Sequence, residues 1–154
     1  MKPVTATVTV PQPPEQVYDF LDVLSNHEQF TDHFMLDWRF SGPAAGVGAK
    51  AHVRVKSPGP DDWLDMTVIS GDRPRTTTEE SVGAKGKRRT RGTYTLEELP
   101  DGGTRISFEL AWLEAPLSER LAAPISRAVV GRANAKALRR LAEVLADNGK
   151  EEAR

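Results

Sequence analysis

The chain has 154 residues, enough for a single domain that buries roughly 70% of the surface its unfolded form exposes. Its 21 basic and 22 acidic side chains leave a net charge of −1, so no global field draws it to nucleic acid or to an anionic membrane. Cysteine is absent, which excludes disulfides, thiolate nucleophiles and thiolate metal sites and fits a reducing, cytoplasmic setting.

No run reaches the roughly 20 apolar residues of a membrane span, and MKPVTATVTV lacks the apolar core of a signal peptide. That opening instead alternates Val4, Ala6, Val8 and Val10 with threonines, the pattern of a half-buried strand. PQPPEQ breaks it and starts a helix, with Pro13 and Pro14 in the first turn and Val17, Phe20, Leu21 and Leu24 as its buried stripe. Ser25-Asn26 caps a second short helical segment, HEQFTD, anchored by Phe30.

From His33 the period becomes two, with Phe34, Leu36, Trp38 and Phe40 on one face and His33, Met35, Asp37 and Arg39 on the other. After the turn SGPAAGVG, a third strand points Ala49, Ala51, Val53 and Val55 inward and Lys50, His52, Arg54 and Lys56 outward. The loop SPGPDD leads to a fourth strand whose inner set is Leu64, Met66 and Val68. A polar fifth strand, TTTEESV, follows the turn GDRPR; Thr76, Thr78, Glu80 and Val82 are its expected inward set. A hairpin at Gly83–Gly86 joins it to a sixth strand from Arg88 to Leu99, with Thr90, Gly92, Tyr94 and Leu96 on one face. Pro100-Asp101-Gly102-Gly103 turns the chain into a seventh, where Thr104, Ile106, Phe108, Leu110 and Trp112 alternate with polar residues.

The last third, from Pro116 to Asn148, repeats Leu117, Leu121, Ile125, Val129, Leu138 and Leu145 at helical spacing. Ser118 is the expected N-cap, Asn148-Gly149 the expected stop, and Pro124 divides a short first segment from a long second one. The domain then covers residues 1–148, with a fraying tail at 149–154. Short turns make the six-strand run antiparallel, and only the terminal helix is large enough to cover its apolar face. The predicted fold is α+β: seven curved antiparallel strands gripping a long C-terminal helix, with two short helices after strand one.

PPEQVYDFLDVLSNHEQF, GVGAKAHVRV, DRPR and RGTYTLEELPDGGTRISFEL, with the long terminal helix, resemble the START-like (SRPBCC) superfamily over almost the whole chain. That superfamily includes polyketide cyclase/dehydrase-type proteins and lipid-transport relatives, with a helix-grip fold. The usual tryptophan after the second short helix gives way here to Phe30 as aromatic anchor.

The resemblance implies a hydrophobic cavity between sheet and helix. Alternation supplies its expected lining as Phe34, Leu36, Trp38, Val53, Val55, Met66, Val68, Tyr94, Phe108, Leu110, Ile125 and Val129, which would otherwise form a filled core. Glu80, Thr90, Tyr94 and Arg132 are the expected polar contacts, and a stripe of them on an inner face points to water or ligand, since an unpaired buried polar group costs roughly 1–3 kcal/mol.

The expected function is binding or transport of a small lipid, polyketide or aromatic molecule. The alternatives are a cyclase or dehydratase with Glu80, Tyr94 and Arg132 as catalytic candidates, and a protein-interaction module. The expected partner is thus a small hydrophobic molecule rather than nucleic acid, with no membrane span. No cofactor is implied. His27, His33 and His52 lie in no metal-ligand spacing, and no metal is expected. His33 and Asp37 are same-face neighbours that would suit an acid–base pair or a surface pair. The basic run KGKRRTR lacks interleaved aromatics and reads as a solvated hairpin.

Overall fold

In a computed structural model, which describes residues 1–57 and 59–152, the alternating Val and Thr residues form β1, Val4–Val10. Pro14 then opens α1, Pro14–Asp22, where its missing N–H costs nothing. A 3-10 turn at Leu24–His27 leads into α2, Glu28–Thr31, whose Phe30 is fully buried. Asn26 does not cap α2; its Nδ2 donates to the Phe20 carbonyl and ties the turn back to α1.

Six strands follow: β2, Met35–Ser41; β3, Lys50–Val55; β4, Asp62–Asp72; β5, Thr76–Gly83; β6, Arg88–Glu98; and β7, Thr104–Glu114. The sheet order is β1-β7-β6-β5-β4-β3-β2, and every neighbouring pair is antiparallel. Short turns dictate this arrangement, and β1 joins the far edge beside β7. The chain ends in α3, Leu117–Leu121, and α4, Ala123–Glu152. The break at Ala122 places Pro124 in the first turn of α4, where proline is tolerated. Two boundaries differ from expectation: Pro116 rather than Ser118 precedes α3, and α4 continues through Asn148 and Gly149 to Glu152. The whole is a curved seven-stranded antiparallel sheet with a long C-terminal helix, the helix-grip arrangement.

The core is split in two. One cluster gathers Ala6, Val10, Val17, Leu21, Phe30, Tyr94, Leu96, Ile106 and Phe108 around Leu138, Leu141 and Leu145 of α4. The other gathers Leu24, Met35, Ala49, Ala51, Val53, Met66 and Val68 from β2–β4 and the 3-10 turn. Between them runs β5, whose inward residues are polar, and Phe34 touches both clusters. Only the C-terminal half of α4 belongs to the core. Ile125 and Val129 in its N-terminal half are 69% and 39% exposed.

Candidate functional site

Cross-strand register determines which side chains meet on the concave face. Ala6 pairs with Phe108, Phe108 with Tyr94, and Tyr94 with Thr77. The inward set of β5 is therefore Thr77, Glu79 and Ser81, one residue away from the expected set. Four residues, Ala84 to Lys87, separate the last β5–β6 pair, Gly83 and Arg88, and this loop length sets the parity. Glu80 faces the outer surface, where Arg91 Nη2 donates to its Oε1 at 2.6 Å. Thr78 shares that outer face and lies 3.4 Å from the Thr93 hydroxyl.

β2 carries a second shift. Asp37 adopts a positive φ of 55° at an irregularity between Leu36 and Arg39. Met35 consequently points inward opposite Val55, while Leu36 pairs with Arg54 on the outer face and leaves the lining. Trp38 stays inward, packed on the second cluster and stacked on Phe40. Ile125, Val129 and Arg132 are also misplaced by the sequence reading, because all three are exposed on α4. The helix has two apolar stripes, and the buried one runs through Asn134, Ala137, Leu138, Leu141 and Leu145. Val53, Val55, Met66, Val68, Thr90, Tyr94, Phe108 and Leu110 do lie on the inward face, and Phe34 packs beneath it.

Glu79 occupies the centre of this face, between Val68 on β4 and Gly92 on β6. A Cβ on residue 92 would lie 3.3 Å from Glu79 Oε1 and 2.6 Å from Phe108 Cζ, so the absent side chain makes room for both groups. The side chain keeps part of its surface open to solvent, yet protein surrounds it on the concave wall and pushes its carboxyl up to about 7. Burial is the sole cause; no cation or hydrogen bond contributes. Tyr94 is raised well above its ordinary value, first by burial and then by Glu79. Its ring packs on Phe108 at 4.5 Å and meets His27 edge-on at 5.8 Å. His27 Nε2 lies 2.8 Å from the Leu21 carbonyl and so carries the ring proton, while burial lowers its pKa to about 4 and keeps it neutral. Asn134 Nδ2 and Trp38 Nε1 are buried without a hydrogen-bond partner.

Towards the end of the sheet where β6 begins, Arg88 bridges Asp62 on β4 and Glu119 on α3, with contacts of 2.6 and 2.8 Å. This clamp ties α3 to β4 and β6. A cleft of about 330 Å³ lies nearby, lined by Met1, Trp112, Leu113, Glu114, Ala115 and Arg120. A second, of about 260 Å³, lies between the 3-10 turn and the β2–β3 connection. Neither contains Glu79 or Tyr94, so the polar seam lies apart from both surface clefts. His33 does not pair with Asp37; its Nε2 donates to the Ala133 carbonyl, and Asp37 accepts from Arg54. His52 faces outward against Asp65 and Trp63. Of the basic hairpin, Arg88, Arg89 and Arg91 all pair with carboxylates. Among the described residues no cluster of His, Cys, Asp or Glu is arranged to hold a metal, and no helix is long and apolar enough to cross a membrane.

A profile of the family described as polyketide cyclase / dehydrase and lipid transport matches residues 1–146. Among solved structures, TTHA0849 of Thermus thermophilus superimposes with a TM-score of 0.79 at 17% identity, covering 96% of this chain and 99% of that one. The structure of Ara h 8.0201 gives 0.59 at 16% identity, over 91% and 97% of the two chains. DynU16, a protein of the dynemicin biosynthetic locus, gives 0.65 at 19% identity, over 94% of this chain and 47% of its own. At these identities the likeness is one of fold. No curated protein matches the chain.

Proposed function

The chain belongs to the polyketide cyclase / dehydrase and lipid transport family, and from that premise we propose that it carries a small hydrophobic molecule along the concave face of its sheet. The observation that supports this is the Glu79 seam. A solidly packed interior would not leave a carboxyl unpaired between two apolar clusters, since such a group is costly unless solvent or a ligand reaches it. Val55, Leu64, Leu110 and Trp112 face the same way and remain partly open. Their burial against a ligand would supply about 25 cal/mol per Å² of apolar surface. Glu79, Tyr94 and Thr90 take the orienting role assigned from sequence to Glu80, Thr90, Tyr94 and Arg132.

Titration with the neutral probe 1-N-phenylnaphthylamine tests this, read by its emission and by energy transfer from tryptophan. One saturable site is expected, weakened at least about tenfold by Leu110→Trp, which puts extra volume into partly open space. Non-saturable binding, or a site indifferent to Leu110→Trp, would reject it.

Glu79 also favours a second reading. A carboxyl titrating near 7 is matched to general acid–base work at neutral pH, so an enzyme of the cyclase or dehydratase type would use Glu79 to move the proton, with Tyr94 beside it. Glu79→Gln would then abolish turnover and preserve binding.

A further inference from the structure

Among the described residues four buried side-chain atoms lack a hydrogen-bond partner, the acceptors Gln12 Oε1 and His33 Nδ1 and two donors. Asn134 Nδ2 and Trp38 Nε1 are buried donors lacking acceptors. Among the described residues no hydrogen bond engages the Tyr94 hydroxyl or the Glu79 carboxyl. Among the described residues no cation acts on Glu79. β4 presents Met66 and Val68, β6 presents Gly92 and Tyr94, and β7 presents Phe108 and Leu110. On the helical side Leu138 of α4 packs in the same cluster as Tyr94 and Phe108, and the neutral His27 of the turn before α2 meets Tyr94 edge-on. Arg88 is held by Asp62 and Glu119, and Arg132 is exposed on α4.

Resting on the carrier reading above, we propose that the trough selects neutral ligands bearing a hydrogen-bond-accepting oxygen, a ketone, ester or alcohol, with Glu79 in its protonated form as the specificity-determining donor, and that it turns away carboxylates. A protonated carboxyl offers one O–H to such an oxygen, and Tyr94 offers a second. A ligand carboxylate would meet a wall without a cation and would lose its hydration for no compensating charge. Once Glu79 ionises it becomes an acceptor only, so a carbonyl oxygen is repelled where it was previously held. Tyr94 and His27 are the other titratable groups facing this position, and both stay neutral between pH 6 and 8.5.

The experiment displaces bound 1-N-phenylnaphthylamine with dodecan-2-one and with dodecanoate, at pH 6 and pH 8.5. In the unmodified protein the ketone should displace the probe at concentrations about tenfold below those of dodecanoate, and its affinity should fall about tenfold from pH 6 to pH 8.5 as Glu79 ionises. Glu79→Gln keeps a donor that does not titrate, so ketone affinity should persist at both pH values. Equal displacement by the two compounds, or ketone affinity indifferent to pH, overturns the proposal while leaving the carrier reading intact. Failure of the probe to bind at all overturns the carrier reading and this selectivity with it. If Glu79→Gln fails to fold, the ketone-to-carboxylate ratio and the pH comparison in the unmodified protein decide.

Discussion

Glu79 stands directly across from Gly92, and its Oε1 lies 3.3 Å from the point a Cβ on residue 92 would occupy. The Phe108 ring comes closer still, at 2.6 Å. Gly92→Ala therefore forces Phe108 off its place against Tyr94 and crowds the carboxyl. A loss of about 1–3 kcal/mol is expected from overpacking, read by urea denaturation, together with weaker probe binding. An unchanged midpoint would show that the close approach is inconsequential.

Glu79 also makes stability depend on pH. Its folded value of about 7 lies above the ordinary 4.5, so the unfolded chain releases this proton first as pH rises. The stability linked to Glu79 is whole below about pH 4.5 and is lost as pH rises through 7, by up to about 3 kcal/mol. Glu79→Gln should flatten that interval in a pH series of urea midpoints. A parallel slope in the variant would assign the effect elsewhere.

His27 acts in the opposite sense. Burial lowers it from 6.5 to about 4, so the folded state holds it neutral while the unfolded chain protonates it. Its contribution is present above pH 6.5 and is lost as pH falls through 4. His27→Gln should make the acid limb of the same midpoint series shallower, and an unaltered acid limb would contradict this.

The Arg88 clamp joins α3 to the sheet through partly buried carboxylates on Asp62 and Glu119. Glu119→Gln should cost only about 1 kcal/mol in overall stability, because the pair is partly solvated. Its expected signature is local: faster amide hydrogen exchange over Leu117–Leu121, with little change in β6. Uniform acceleration across the chain would mean the clamp supports the whole fold.

Glu80 and Arg132, both prominent in the sequence, serve as controls. Glu80 is bound to Arg91 on the outer face and Arg132 is exposed on α4. Glu80→Gln and Arg132→Ala should leave probe affinity within about twofold, since neither touches the trough and surface changes are usually small. A large loss in either would place the site on another surface.

While the register of β4 to β6 stayed open, turn residues and side-chain period determined the strand and helix order and the antiparallel hairpins, Pro124 the break in the last helix, and alternation the inner faces of β3 and β7. In those strands one face is apolar and the other charged, and a slip by one residue would drown the apolar set in water. TTTEESV carries no such contrast: Thr, Glu and Ser occupy both faces, so burial energy does not choose between Glu79 and Glu80. What chose was pairing. The four-residue loop after Gly83 places Glu80 across from Arg91 and Glu79 across from Gly92, a parity that the sequence read alone put one residue out. The irregularity at Asp37 similarly exchanged Leu36 for Met35. The sequence places Ile125 and Val129 in one apolar series with Leu138 and Leu145, and it was the packing of α4 on β1 and α2 that buried Leu138, Leu141 and Leu145 and left Ile125 and Val129 outside. Side-chain period is a local property of the chain, whereas the choice of face belongs to the partner strand or helix that covers it.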